Sequence, residues 1–273
     1  MKLANMNQHY HRYPFNYFLE STMRLGLEAI ELWGGIPHLY VNDSTHKDIK
    51  KIGADIRERK LELVCFTPEQ CIYPINLSAK DEITRDRSIK YFKKCIDVAN
   101  TLECEQLIVS VGYGFYNEPD EEAWKRASDS LQMLSKEAEM KGVVLLLEQM
   151  STIGSNVITD VKTLKKMYEE VNSPNLKVMA DTVLLEFVGD RLEDYREFGD
   201  DLSHIHFIDG NVKTTAHLAW GEGVFNLDHY MKVLNELNYN GYLTLELISP
   251  KYNWDPEKGI RDSIEKIKQI SLL

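Results

Sequence analysis

Four side chains of metal-binding type stand at the ends of four apolar segments in the second half of the sequence. Glu148 ends VVLLLE, Asp181 ends LKVMAD, His206 lies within HIHFID and Glu246 lies within YLTLEL. Successive members are separated by about one strand and one helix, so neighbouring strands would bring them together. Three crowded carboxylates would repel one another and raise the pKa of at least one, whereas a divalent cation would remove that repulsion. The sequence therefore predicts a metal site here.

The donor set favours a hard or borderline divalent ion. Carboxylates with one imidazole suit Mn²⁺, Mg²⁺ or Co²⁺ better than a metal that prefers thiolates. We expect one divalent ion, Mn²⁺ in first place, with Co²⁺, Mg²⁺, Ni²⁺ and Zn²⁺ as alternatives. His204 shares the parity of His206 along its strand and is expected one layer deeper on the same face. Asp209 has the opposite parity and is expected to be a loop or capping carboxylate.

Short apolar segments alternate with helical ones along the whole chain. The helical segments include Asp81–Thr101 and Asp120–Met140, whose apolar residues recur at spacings of three and four. Strands separated by helices indicate βαβ units and a parallel sheet. Eight strands are predicted, namely Lys2–Met6, Ala29–Trp33, Leu61–Thr67, Gln106–Val111, Val143–Gln149, Leu176–Asp181, His204–Ile208 and Tyr242–Leu247.

Eight such units predict an α/β fold, a (β/α)8 TIM barrel forming a single domain over residues 1–273. A doubly wound open sheet is the alternative, but neither a G-x-G-x-x-G nor a G-x-x-x-x-G-K-[ST] motif opens a helix. The longest segments expected to be irregular are Thr67–Lys80, Gly112–Pro119 and Asp209–Phe225. Each follows a strand, which places it on the face that carries the active site in this fold.

Composition narrows the class of protein. The chain has 273 residues and a formal net charge of -11, which argues against a nucleic-acid partner because such surfaces are basic. The 4 cysteines form no C-x-x-C pair, so reduced thiols are expected. No segment approaches the roughly 18 apolar residues of a membrane helix, and no signal peptide is visible. We expect a cytoplasmic protein without a membrane partner.

Several blocks of sequence carry a resemblance to a known family. They are Ala29–Tyr40 (AIELWGGIPHLY), Phe66–Asn76 (FTPEQCIYPIN), His204–Asp209 with Trp220–Gly223 (WGEG), and Gly241–Glu246 (GYLTLE). Through these blocks and the polar strand ends, the chain resembles the xylose isomerase-like TIM-barrel sugar isomerases and epimerases over nearly its whole length. The resemblance implies that Glu148, Asp181, His206 and Glu246 hold the metal. It also implies that Glu148 and Glu246 are the catalytic acid–base pair.

The resemblance further implies a carbohydrate 3-epimerase. Such an enzyme removes a proton beside a ketose carbonyl, passes through an enediolate and returns a proton to the opposite face. Leu184 and Val212 stand where ketose 3-epimerases of the family commonly carry a substrate-binding His and Arg, which weakens the transfer of free-ketose specificity. An Amadori-type sugar–amine adduct or a related sugar is the expected substrate. The candidate substrate-binding residues are Trp33, His38, Glu69, Tyr73, His217 and Glu222.

Other interpretations stay open at this point. Trp33 could pack between strand and helix, and Glu69 could be solvated rather than paired with a substrate ammonium. A tagatose- or psicose-type 3-epimerase or an aldose–ketose isomerase would use the same residues, and an inosose-type dehydratase would need a leaving hydroxyl in its substrate. A metallo-endonuclease would need more histidines and a basic groove, while a sugar-binding protein would have no use for both glutamates. A homodimer or higher homo-oligomer is expected only by analogy with relatives.

Overall fold

The computed structural model describes residues 1–70 and 74–270. The strands are β1 (Lys2–Met6), β2 (Ala29–Gly34), β3 (Glu62–Pro68), β4 (Gln106–Val109), β5 (Val144–Leu147), β6 (Leu176–Asp181), β7 (Leu202–His206), β8 (Asp209–Asn211), β9 (Thr214–Leu218) and β10 (Tyr242–Leu245). The helices are α1 (Phe15–Arg24), α2 (His46–Glu58), α3 (Glu82–Leu102), α4 (Asp120–Lys141), α5 (Val161–Val171), α6 (Thr182–Val188), α7 (Leu227–Glu236) and α8 (Pro256–Ile270).

Eight of these strands close into a barrel in the order β1-β10-β7-β6-β5-β4-β3-β2, with parallel neighbours throughout. This confirms the predicted (β/α)8 barrel and rules out the open sheet. Each predicted strand agrees with the structure to within two residues at either end. Helices cover one face of each strand and the barrel interior covers the other, so the strands are apolar on both faces. Such continuous apolar segments can be recognised in the sequence.

The helices begin and end at residues whose chemistry suits those positions. The side chain of Thr45 accepts from the backbone N–H of Asp48, and the two residues form a capping box at the start of α2. The helix α4 ends at Gly142, whose φ of 66° is the left-handed conformation that glycine adopts readily. The predicted helices Asp81–Thr101 and Asp120–Met140 are observed as α3 and α4.

The segment Asp209–Phe225 is not irregular as expected. It contains the antiparallel hairpin β8–β9, with Asp209 opposite Leu218 and Asn211 opposite Thr214. Strands this short and polar give little signal in the sequence, because they are stabilised by one another and not by a buried sheet face. The backbone N–H of Ile248 donates to the carbonyl of His217 at 3.1 Å, which ties the end of the hairpin to the chain after β10.

Two apolar clusters support the barrel. The larger cluster fills the space between the strands and the surrounding helices. The smaller cluster lies inside the barrel and forms a packed floor beneath the polar side chains at the strand ends. Its buried members are Ala4, Ala29, Val64, Cys65, Ile108, Leu146 and Met179.

Cys65, Cys95 and Cys104 are buried and unpaired, while Cys71 lies outside the described residues. Among residues 1–70 and 74–270, no helix is both long and apolar enough to cross a membrane.

His9 is buried within the short 3-10 turn that follows β1, Gln8–Tyr10. Its Nε2–H donates to the carbonyl of Pro256 at 3.2 Å, and no hydrogen-bond partner for Nδ1 is present among the described residues. Burial lowers the pKa of His9 to about 3. The folded protein therefore holds this ring neutral over a pH range in which the unfolded chain, with an ordinary histidine pKa near 6.5, takes up a proton.

We expect His9 to make the protein sensitive to acid. Above about pH 6.5 the ring is neutral in both states and has no effect on the pH dependence of stability. As the pH falls towards 3, only the unfolded chain takes up a proton, so the free energy of unfolding decreases, by about 2 kcal/mol at pH 5. Urea unfolding of wild type and His9→Gln at pH 7 and pH 5 measures this, and the variant should lose about 2 kcal/mol less between the two. His46→Gln, at an exposed histidine, is the control. Equal losses in all three proteins would contradict the prediction.

Candidate active site

The predicted metal ligands occupy the carboxyl ends of four barrel strands, β5, β6, β7 and β10, which are consecutive around the barrel. Asp181 is the last residue of β6 and pairs in register with His206, the last residue of β7. Glu148 and Glu246 directly follow β5 and β10. All four are buried. In each strand the residue two positions earlier points into the barrel, so the ligand lies on the same face, because side chains alternate between faces along a strand.

The donor atoms of these side chains converge. Nδ1 of His206 lies 3.0 Å from Oε2 of Glu246 and 3.5 Å from Oδ2 of Asp181. Donor atoms of Glu148, Asp181 and His206 all lie within 4.8 Å of one another. The structure therefore brings the predicted ligands together above the barrel floor, and their metal-binding role remains a prediction.

A fully buried carboxylate, Glu31 on β2, supports this cluster from below. Its Oε1 accepts from Nε2–H of His206 at 2.9 Å, and its Oε2 accepts from Nε2–H of His204 at 2.6 Å. The hydroxyl of Thr67 also donates to Oε1. Because Glu31 occupies Nε2 of His206, the other ring nitrogen is left facing the carboxylates of the cluster, which is how an outer carboxylate fixes a metal-binding imidazole.

Burial and neighbouring charges shift the pKa values of the carboxyl groups in the cluster. Burial raises the pKa of Glu148 to about 8; His206 opposes this rise, while the charges of Asp181 and Glu246 add to it. Burial also works against ionisation of Asp181 and Glu246, but the neighbouring rings of His206 and His217 outweigh it and hold both carboxyl pKa values low. Without a cation, one of the three carboxylates therefore carries a proton at neutral pH.

The cluster fits a divalent cation. Nδ1 of His206 is buried and makes no well-directed hydrogen bond among the described residues, although it faces two carboxylates. A buried nitrogen without a partner has a free-energy cost that metal coordination would remove. The donor set of oxygen atoms with one imidazole nitrogen matches the preferences of Mn²⁺, Mg²⁺ and Co²⁺, and Zn²⁺ also binds such ligands.

His217, predicted as a substrate contact, is delivered to the same cluster by the hairpin. Its Nε2 lies 3.0 Å from Oδ2 of Asp181 and 3.2 Å from Oε2 of Glu246, while Nδ1–H donates to the carbonyl of Thr215 at 2.9 Å. These contacts also make it a candidate fifth ligand, since its donor atom lies within 4.8 Å of those of Asp181 and Glu246.

Asp209 holds the loop after the hairpin in place. Its Oδ2 accepts from the N–H groups of Gly221 and Gly223 at 2.9 and 2.8 Å, and its Oδ1 accepts from the N–H of Phe225 at 3.0 Å. Gly223 approaches so closely that a Cβ there would lie 2.2 Å from the carbonyl oxygen of Gly210. The WGEG block is thus a structural element, and Asp209, at the start of β8, acts as a capping carboxylate for its N–H groups.

Trp33 and His38 lie close together at the end of β2 but have different surroundings. Trp33 is half-buried, lines a cavity and packs so tightly against Gly35 that a Cβ there would lie 2.1 Å from the indole. Both ring nitrogens of His38 are engaged within the protein, Nε2 with the carbonyl of Tyr13 at 2.7 Å and Nδ1 with the amide of Asn7 at 2.9 Å. Trp33 therefore lines a space that is open to a ligand. His38 instead holds Asn7 and the backbone of Tyr13 in place through its two hydrogen bonds.

The remaining predicted substrate contacts, Glu69, Glu222 and Tyr73, differ in their burial and in their partners. Glu69 is half-buried, and burial raises its pKa while a hydrogen bond from the indole of Trp33 lowers it. Glu222 is exposed, accepts from the hydroxyl of Tyr252 and lies 2.7 Å from Nζ of Lys251. Tyr73 lies outside the described residues.

Comparison with known proteins identifies the family. Residues 19–270 match the xylose isomerase-like TIM barrel family, so the chain belongs to it, as the sequence blocks indicated. The chain is 28% identical over 271 residues to fructoselysine 3-epimerase of Shigella flexneri, covering 99% of this chain and 98% of that protein. The protein of the same name from Escherichia coli O157:H7 is equally similar. The prediction of an isomerase agrees with these relatives, which are named epimerases.

Two solved structures share the fold. D-psicose 3-epimerase from Clostridium cellulolyticum H10, determined with D-tagatose, superimposes with a TM-score of 0.82 at 16% identity and covers 99% of both chains. The IOLI protein, determined with a bound zinc atom, superimposes with a TM-score of 0.81 at 18% identity and covers 100% of both chains. At these identities the likeness concerns the fold alone.

Sequence reasoning missed Glu31. The residue lies in the apolar segment AIELW, where a single glutamate has no spacing that marks it. A signal was nevertheless present, because a charged residue in the middle of a buried strand requires a buried partner. His204 and His206 share one face of their strand and are the partners that the structure supplies.

Proposed function

We propose that the protein is a metal-dependent ketose 3-epimerase that interconverts fructoselysine and psicoselysine, with Mn²⁺ as the preferred ion. The observation that carries the proposal is the convergence of Glu148 and Glu246 on one cluster from β5 and β10. Two carboxylates on either side of one bound sugar are what epimerisation needs, since a proton leaves from one face and returns to the other. The similarity to fructoselysine 3-epimerase over nearly the whole chain supports the choice of substrate.

The residues divide the work between orientation and proton transfer. In the closed barrel, β7 and β6 lie between β10 and β5, so Glu246 and Glu148 reach the site on either side of His206 and Asp181. One glutamate removes the proton from C3 of the ketose, and the other delivers a proton to the opposite face of the same carbon. A divalent cation held by the four groups would act as a Lewis acid towards the oxygens on which charge develops.

His217 and the Glu31–His206 pair position this machinery. Nε2 of His217 faces Asp181 and Glu246, so this ring either completes the cation's shell or donates to a substrate oxygen. Glu31 keeps Nδ1 of His206 turned towards the cation position, because it engages the other ring nitrogen. Burial of the whole cluster excludes bulk water, which strengthens each electrostatic contact in the transition state.

Proton exchange with solvent tests the proposal. Incubation of the protein and Mn²⁺ with fructoselysine, psicose and fructose in D₂O should place deuterium at C3 of fructoselysine, as followed by NMR. After removal of the metal with a chelator, exchange should fall by about a hundredfold and return on adding Mn²⁺ or Co²⁺. Label at C1 or C2 would indicate an aldose–ketose isomerase, and loss of a hydroxyl would indicate a dehydratase. Full exchange in the metal-free protein would remove the metal from the mechanism.

A further inference from the structure

A cavity of about 480 Å³ opens beside the catalytic cluster and is not used by the mechanism described above. Its walls come from the loop after β1, the end of β2 and the segment 247–253 after β10, which are all on the carboxyl-terminal face of the barrel. Leu247 and Ile248 line the cavity and directly follow Glu246 in the chain. The backbone N–H of Ile248 also donates to the carbonyl of His217, whose ring faces the cluster, so the cavity is a near neighbour of the cluster.

The wall of the cavity suits an aliphatic chain. Trp33, Ile36, Ile248 and Pro250 contribute to it. Ile36 and Ile248 expose 60% and 40% of their surface, a large exposure for two isoleucines that share one concave surface. Exposed apolar residues gathered in a concavity favour a binding site over isolated surface positions.

A cation without a partner stands at the same cavity. Arg12 lines it, is exposed, and among residues 1–70 and 74–270 makes neither a hydrogen bond nor an ion pair. Each of the other arginines in the described part of the chain bonds to a carboxylate or a carbonyl. In a chain of net charge -11, a single guanidinium left unpaired at a cavity is placed to receive an anion from outside the protein.

We propose that this cavity binds the non-sugar end of an Amadori-type substrate, and that Arg12 pairs with the carboxylate at that end. The inference rests on the proposed epimerase function. It assigns the choice of substrate to the cavity and to Arg12. The methylene chain of a lysine adduct lies along Trp33, Ile36 and Ile248, and its terminal carboxylate reaches the guanidinium. Free ketoses have neither the chain nor the carboxylate, so the cavity distinguishes the adduct from them.

The test uses two substrates that differ only in the carboxylate. Fructoselysine carries it, whereas the fructose adduct of cadaverine has the same chain without it. Arg12→Gln should lower kcat/KM for fructoselysine by about 10- to 100-fold, mainly through KM, because the contact is made equally in the ground and transition states. For the cadaverine adduct, wild type and Arg12→Gln should give the same kcat/KM. Arg12→Lys should restore part of the loss, since it keeps the charge without the planar fork.

The controls separate this inference from the function on which it rests. Arg57→Gln removes an exposed arginine near the start of β3, at the opposite end of the barrel, and should leave both substrates unaffected. Equal losses for the two adducts, or no loss for fructoselysine, would overturn the role of Arg12 while leaving the epimerase intact. If wild type moves the C3 proton of neither adduct, the proposed function itself fails.

Discussion

Glu246→Gln should lower kcat on fructoselysine by about 10²- to 10⁴-fold, while the protein stays folded. The amide keeps the size of the side chain but cannot accept a proton, and general acid–base catalysis contributes about 10²- to 10⁴-fold. The carboxyl of Glu246 faces His206 and His217, whose rings hold its pKa low against the effect of burial. It is therefore ionised at neutral pH and has a lone pair with which to accept a proton.

A loss of metal binding alone would mimic this result, so kcat is measured at saturating Mn²⁺ and the dissociation constant for Mn²⁺ is measured by titration calorimetry. Glu148→Gln should show a comparable fall in kcat, because epimerisation needs a group on each face of the sugar. Glu236→Gln, at an exposed glutamate of α7, is the matched control and should have wild-type kcat. Activity of Glu246→Gln within tenfold of wild type at saturating metal would contradict the assignment of Glu246 as a catalytic residue.

The barrel was predictable because its determinants are local. Strands apolar on both faces alternate with helices of clear period, and the polar residues that break this pattern at the strand ends mark one face of the fold. The parity of a strand then fixes which side chains share the interior. That is why Glu148, Asp181 and His206 were found together and why His204 was expected one layer below His206.

The remaining parts of the site depend on contacts between segments that are distant in the sequence. Glu31 meets the two histidines across 173 and 175 residues, and nothing in its own segment specifies that pairing. His217 reaches the cluster through a hairpin too short and polar to be recognised. The sequence gives no reason to single out Arg12, because the cavity that it lines forms only where the chain after β10 packs beside it. Each of these features results from closure of the barrel and not from a local pattern.

Glu31→Gln should impair both stability and metal binding. The carboxylate accepts from His204, His206 and the hydroxyl of Thr67, and an amide cannot accept at both positions. Removing one partner of a buried charged network typically has a free-energy cost of about 3–5 kcal/mol, measurable as a lower free energy of unfolding in urea. The ring of His206 would also lose the bond that directs Nδ1 towards the cation. Affinity for Mn²⁺ should therefore fall by about 10- to 100-fold.

His204→Gln separates the two effects. This change disturbs the same buried network at Oε2 of Glu31 but leaves the bond from Oε1 to His206 in place. It should lower the free energy of unfolding while affecting the dissociation constant for Mn²⁺ by less than about threefold, because the orientation of the ligating ring is kept. If Glu31 only stabilised the fold, the affinity for Mn²⁺ of Glu31→Gln and of His204→Gln would each fall in proportion to the loss of free energy of unfolding. A larger loss of affinity in Glu31→Gln at matched stability identifies Glu31 as the residue that positions His206.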